Sequence, residues 1–308
     1  MSDTRPRRSQ LSTPARSESM MAKAASSAAD EVILDLEDSI APEEKSVART
    51  ALITAANNEN WDGKFLSYRI NGIDTRWWYE DIITVLEEAG DTIDSIVVPK
   101  VQQPSDVATV ANLLTQVEVN ASLPIGSIGL QVQIEDGAGF HTVDTIAQSS
   151  DRLESIIFGP GDYAAAMGAP GLDIGQFPSY PGHYWHAVLS HINAAAKSAN
   201  LYCFDGPYAD IENQSGFRES ANHARMLGCD GKWVIHPSQI DLANEIFSPD
   251  PAVVRRARQL VTAYEQAQES GEGAVSVDGQ MVDEATHKMA KEIVNKADAA
   301  GSVQMNDQ

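Results

Sequence analysis

VILDLEDSIAP, residues 32–42, reads as a short buried strand that ends in charge. Val32–Leu36 is largely apolar, Glu37 and Asp38 follow at once, and Pro42 begins an amphipathic stretch that runs to Asn57. A run of that length between turn and helix signals suits a parallel strand covered by helices on its outer side.

The same unit recurs along the chain. Strand-like segments are expected at Phe65–Ile70, Ile93–Val98, Ile128–Ile134, Leu153–Phe158, Leu201–Phe204 and Trp233–Ile235, with helical stretches at Trp77–Ala89, Ser105–Val117, Pro181–Ala199 and Gly216–Leu227. An eighth strand near Ser9–Thr13 has a poor pattern, because Gln10, Ser12 and Thr13 are polar. Eight strands would close an α/β (β/α)8 TIM barrel. An open doubly wound sheet is the alternative, weakened because no GxGxxG follows a first strand. The expected division is a barrel over 1–247, a C-terminal helical extension and lid over 248–297, and a disordered tail over 298–308. Pro249 and Pro251 start the extension, Gly271 and Gly273 interrupt it, and Asp283–Ala297 reads as a last amphipathic helix.

Composition narrows the function. Of 308 residues 43% are hydrophobic, enough for a core of this size. Cys203 and Cys229 form no Cys-x-x-Cys pair, which argues against structural zinc and a disulfide framework. No apolar run approaches the roughly 20 residues that span a membrane, and MSDTRPRRSQ has no apolar stretch behind its charges, so a cytoplasmic location is expected. A formal charge of −22 makes nucleic acid an unsuitable partner. The acids are scattered over helices, as expected of a halophilic protein, where molar salt screens repulsion within about 3 Å; an ordinary acidic protein is the alternative.

The seven well-patterned strands are each followed by polar residues: Glu37 and Asp38; Asn71, with Arg69 near the end of its strand; Lys100; Glu135 and Asp136; Asp162; Asp205; and His236. In a parallel barrel the carboxyl ends of the strands form the active-site face, so these side chains should converge. Glu135 and Asp162 lie 27 residues apart, about one strand–helix unit. Two hard carboxylates with no thiol suit Mg²⁺ or Mn²⁺; equally, each could cap a helix. Glu37 and Asp38 could hold metal-bound water or cap the helix near Pro42. Arg69, inside an apolar strand, needs partners: a substrate carboxylate or oxyanion, or a structural pair with Glu37 or Asp38. Gly161, in the turn Gly159-Pro-Gly161, allows close approach of a ligand. His236 fits a structural role better than that of a base.

Together VILDLEDSIAP with Lys45 and Arg49, YRING at 68–72, VVPK at 97–100, QIEDGAGF at 133–140 and GKWVIHPSQI at 231–240 resemble the HpcH/HpaI aldolase and citrate lyase β-subunit family. FGPGDYAAAMGA at 158–169, YPGHYWHA at 180–187 and DGPY at 205–208 resemble its malyl-CoA/β-methylmalyl-CoA lyase branch, and the acidic composition suggests a haloarchaeal member. The resemblance implies a Mg²⁺-dependent carbon–carbon lyase acting on a CoA thioester and glyoxylate. It places the metal on Glu135 and Asp162, the substrate on Arg69, and CoA contacts at Arg8, Ser9 and Lys23; Glu37, Asp38 and Gly161 are further candidate substrate-binding residues from their own positions. Asp283 matches a catalytic acid that closes over a neighbouring subunit's site, which implies a homo-oligomer. A malyl-CoA thioesterase, a metal aldolase for non-CoA keto acids, and a lyase subunit active only in a complex are the competing readings.

Overall fold

The computed structural model describes residues 5–170, 174 and 182–306. The chain divides into two units, with the division inside a helix between Glu245 and Ile246. The first unit, residues 7–245, is a closed barrel of eight parallel strands in sequence order. They are β1 (Ser9–Pro14), β2 (Glu31–Asp35), β3 (Phe65–Arg69), β4 (Ser95–Val98), β5 (Gly129–Ile134), β6 (Leu153–Phe158), β7 (Tyr202–Asp205) and β8 (Gly231–Val234). Closure is made by β1 on β8, with Ser9 opposite Lys232 and Leu11 opposite Val234.

Helices connect successive strands: α1 (Glu18–Ala25), α2 (Lys45–Asn58), α3 (Trp78–Ala89), α4 (Pro104–Asn120), α5 (Gly137–Ile146), α6 (Pro160–Ala166), α7 (His186–Ser198) and α8 (Gln214–Met226). The helix that carries the division, α9 (Ile240–Phe247), comes after β8. Several helix starts are local sequence effects. Asp136 accepts from the amide of Gly139 and caps α5, and Pro104 and Pro160 occupy first turns, where a missing N–H costs nothing. The expected helix from Pro181 begins at His186; the stretch at 180–187 lies partly outside the described residues.

Ile33, Val97, Ile157, Phe204 and Trp233 pack together as a buried cluster of the barrel. At the amino ends of the strands the interior turns polar. Glu31 accepts from Arg7 Nε at 2.9 Å, Gln10 Nε2 at 2.7 Å, Ser67 Oγ at 2.7 Å and Gln131 Nε2 at 2.6 Å. Arg7 also lies over the Phe65 ring at 3.9 Å. This layer explains the weak pattern of β1, since Gln10 faces inward but meets polar partners.

The second unit holds α10 (Pro251–Glu269), the hairpin β9 (Val275–Val277) and β10 (Gln280–Val282), and α11 (Glu284–Asn306). It has its own apolar cluster of Ala257, Leu260, Tyr264, Val282 and Ala290. The hairpin is not among the expected elements. Asp278 and Gly279, at φ 50° and 80°, form its tight turn, and Asp-Gly between two short apolar alternations is its sequence signal. Helix α11 continues to Asn306, through most of the stretch expected as a tail, and Asp307 and Gln308 lie outside the described residues. Among the described residues no helix is long and apolar enough to cross a membrane.

Candidate active site

Asp35 and Arg69 are the last residues of adjacent strands β2 and β3 and stand in register. Arg69 donates from Nε to Asp35 Oδ1 at 2.7 Å and from Nη2 to Oδ2 at 2.9 Å, a two-pronged grip on a buried carboxylate. Its third nitrogen, Nη1, lies 3.0 Å from Glu37 Oε2 and 3.4 Å from Gln133 Oε1. Glu37 is also held by Lys100, whose Nζ donates to Oε1 at 2.6 Å. The Lys100 amide donates to Glu135 Oε1 at 2.7 Å. Glu135 Oε2 lies beside Gly159, where an added Cβ would come within 2.6 Å of it. Glycine there makes room for the carboxylate. Asp162, in the exposed first turn of α6, lines the same cavity of about 430 Å³ as Glu135, Lys100, Asp74 and Gln102.

Carboxylates crowd this mouth, and their protonation shows it. Burial, together with the nearby charges of Glu37 and Asp162, pushes the Glu135 carboxyl up to about 8. Burial also raises Glu37, against the pull of Arg69 and Lys100. Burial opposes ionisation of Asp35 too, yet the charge and hydrogen bonds of Arg69 hold it at about 2. Burial acts to lower Lys100, but its bond to Glu37 and the charges of Glu37, Asp38 and Asp162 raise it overall.

The expected site residues divide into three sets. Glu37, Glu135, Arg69, Asp38 and Asp162 lie at the carboxyl ends of the strands, as do Gly161 and Asp205. Asp38 is exposed, with Lys100 Nζ at 3.7 Å. Asp283 belongs to the other unit, where it is exposed and caps α11 by accepting from the Thr286 amide at 2.9 Å; that hydrogen bond lowers its pKa.

The residues expected to contact CoA form the third set. Arg8 and Ser9 stand at the amino end of β1, the floor rather than the mouth. Arg8 is tied to Asp30 through Nε at 2.7 Å and Nη2 at 2.8 Å, and buried Ser9 donates to Asn244 Oδ1 at 2.7 Å. Both close the barrel floor. Lys23 is exposed in the last turn of α1. His236 is exposed and caps the turn after β8, its Nδ1 accepting from the Ser238 amide at 3.2 Å. Sequence reasoning misses Asp35 and the amide of Lys100 as parts of the site. Asp35 is concealed inside an apolar string, and a backbone donor leaves no signature in residue types.

The sequence profile of the family described as HpcH/HpaI aldolase/citrate lyase matches residues 8–237. The chain belongs to this family. Among other family members, the L-malyl-CoA/β-methylmalyl-CoA lyase of Cereibacter sphaeroides is 41% identical over 304 residues, 96% of this chain and 95% of that one. The Rhodobacter capsulatus protein of the same name is 41% identical over 303 residues, and citrate lyase subunit beta of Escherichia coli K12 is 32% identical over 298, 97% of this chain and 95% of that one. Among solved structures, CitE of Mycobacterium tuberculosis in complex with magnesium, acetoacetate and coenzyme A superposes with a TM-score of 0.72 at 26% identity, covering 94% of this chain and 97% of that one.

Proposed function

We propose that this HpcH/HpaI family member is a carbon–carbon lyase that reversibly splits malyl-CoA or β-methylmalyl-CoA into glyoxylate and acetyl-CoA or propionyl-CoA, with Mg²⁺ at Glu135 and Asp162. The observation that carries the reading is the pairing of these two carboxylates in one cavity beside a pinned arginine. Its support from relatives is the near-full-length similarity to malyl-CoA lyases and the magnesium and coenzyme A bound by the CitE structure.

The residues suit such an ion. Among the described residues no three His, Cys, Asp or Glu side chains gather as a ready-made cage. Mg²⁺ needs none, because it commonly takes one or two carboxylates and leaves its other positions to water and substrate. The Glu135 carboxyl is pushed up to about 8 first by burial and then by the charges of Glu37 and Asp162, and a divalent cation beside it would offset both. Once bound, Mg²⁺ supplies Lewis-acid polarisation of the glyoxylate oxygens and a template for them.

In the condensing direction Asp283 takes a proton from the carbon beside the thioester. The resulting carbanion attacks the aldehyde carbon, Arg69 offsets the charge that develops on oxygen, and the alkoxide takes a proton from water to give the 3-hydroxyl. Asp35 fixes the guanidinium so that no reorientation is needed during the reaction. Glu37, Asp38 and Gly161 line the position of glyoxylate and its waters. In cleavage the 3-hydroxyl loses its proton to water, the C–C bond breaks, and Asp283 returns a proton to the acyl carbon.

Of the proposed CoA contacts Arg8, Ser9 and Lys23, Lys23 is the exposed one. The finer reading adds Mn²⁺ as an alternative ion, a homo-oligomer in which Asp283 serves a neighbouring subunit, and a high-salt cytoplasm, supported by the formal charge of −22.

The test is incubation of tag-free protein with Mg²⁺, glyoxylate and propionyl-CoA, followed by mass analysis. A product that retains the thioester supports the lyase. Free hydroxy acid with CoA would make the chain a thioesterase. Absence of any turnover until other subunits are added would make it a component of a complex.

A further inference from the structure

Lys100 follows β4 across Pro99 and holds two carboxylates of the mouth by different atoms. Its φ of 55° is a left-handed backbone that side-chain-bearing residues seldom adopt. Its amide is 2.7 Å from Glu135 Oε1, and its ammonium is 2.6 Å from Glu37 Oε1 and 3.7 Å from Asp38 Oδ1. Lys100 lines both the cavity that holds Glu135 and Asp162 and a neighbouring one, of about 300 Å³, that holds Glu37 and Asp38.

Glu37 is the carboxylate that needs holding. It is buried, and its charge acts on Glu135. Its Oε2 lies 3.0 Å from Arg69 Nη1, yet among the described residues no aligned hydrogen bond reaches that oxygen. Arg69 cannot follow a moving Glu37, because Asp35 grips two of its three nitrogens. A buried, incompletely bonded carboxylate whose charge acts on Glu135 would, if released, be available as a third ligand to an ion held there. A third protein carboxylate would take a position that Mg²⁺ otherwise leaves to water or substrate.

We infer that Lys100 is a positioning residue that withholds Glu37 from the ion at Glu135 and Asp162, so that coordination positions stay open for substrate. The inference rests on the lyase reading above and adds a role for a residue that this reading does not use. It makes a prediction that a general structural lesion does not: loss of the Lys100 charge leaves metal binding intact or stronger while turnover collapses.

The experiment uses Mn²⁺ as the probe, titrated by electron paramagnetic resonance, alongside condensation kinetics with glyoxylate and propionyl-CoA. Wild type is compared with Lys100→Met, Lys100→Arg, Glu37→Gln and the double variant Lys100→Met/Glu37→Gln. Lys100→Met should bind Mn²⁺ as tightly as wild type or up to about tenfold more tightly, with kcat lower by about 10- to 100-fold. Lys100→Arg should recover most of the turnover. In the double variant any gain in affinity should vanish, because the carboxylate that would join the ion is gone.

Lys100→Met that binds Mn²⁺ more than roughly threefold more weakly, or turns over within roughly threefold of wild type, overturns the inference. So does a gain in affinity that survives in the double variant, since charge removal alone would then explain it. Should Lys100→Met fail to fold by circular dichroism, Lys100→Gln carries the same comparison. Wild-type protein that binds no Mn²⁺, or yields no thioester product, counts against the lyase reading instead.

Discussion

At the floor of the barrel the Glu31 carboxylate is enclosed by four donors, from Arg7, Gln10, Ser67 and Gln131, whereas at the mouth Asp35, Glu37, Asp38, Glu135 and Asp162 outnumber the nearby cations Lys45, Arg69 and Lys100. Both ends bury charge, but only the floor balances it. A buried charge with its partners in place is a feature of stability, and one left in surplus is a site awaiting a counter-ion. The two ends should therefore answer differently to substitution.

The sharpest contrast is Asp162→Ala against Arg7→Met. Asp162→Ala removes the proposed metal carboxylate, an exposed side chain in the first turn of α6, so metal-dependent turnover should fall by about a thousandfold or more while the melting temperature moves by about 2 °C or less. A variant assayed at wild-type activity would end the ligand assignment. Arg7→Met leaves Glu31 buried without its cation, which should cost about 3–5 kcal/mol of stability in thermal or urea unfolding. Turnover per folded molecule should stay unchanged, and a loss of kcat would blur the distinction between the two ends.

Gly159→Ala probes the mouth more finely. The new Cβ would lie 2.5 Å from Glu135 Cβ and 2.6 Å from Oε2, so the carboxylate must move. Metal affinity by calorimetry should weaken by about 10- to 100-fold, with roughly 1–3 kcal/mol of stability lost to crowding.

The smallest effect is a slope. Glu135 titrates near 8 in the fold against an ordinary 4.5, so between these values the folded chain holds a proton that the unfolded chain has released. Stability without metal should accordingly decline as pH rises from about 4.5 to about 8, by a few degrees in melting temperature. Mg²⁺ should flatten that decline, and its binding at neutral pH should release close to one proton, read by calorimetry in buffers of unlike ionisation enthalpy. Equal melting temperatures across this range without metal would mean that Glu135 is ionised throughout.

Much of this is legible from residue types. The regular placement of charge after each apolar string, as with Glu37 and Asp38 after Val32–Leu36, locates the mouth, because a parallel barrel brings strand ends together whatever the loops do. The eighth strand is the weak point, since Gln10 belongs to a polar floor that hydrophobic periodicity does not register. The floor position of Arg8 and Ser9 escapes notice for a related reason: proximity to the chain's first motif does not say which end of β1 a residue occupies. Two details have no residue-type signal at all. One is the left-handed turn at Lys100 that aims its amide at Glu135; the other is the choice of Asp35, rather than Glu37 or Asp38, as the firm partner of Arg69.

The self-contained apolar cluster of the second unit bears on the order of synthesis. Residues 7–245 leave the ribosome before Asp283 is made, and units with their own cores generally fold in turn. On the proposed assignment, a nascent barrel can close and gather its carboxylates while the proton acceptor is still untranslated. Chemistry at the thioester would then begin only with a finished chain.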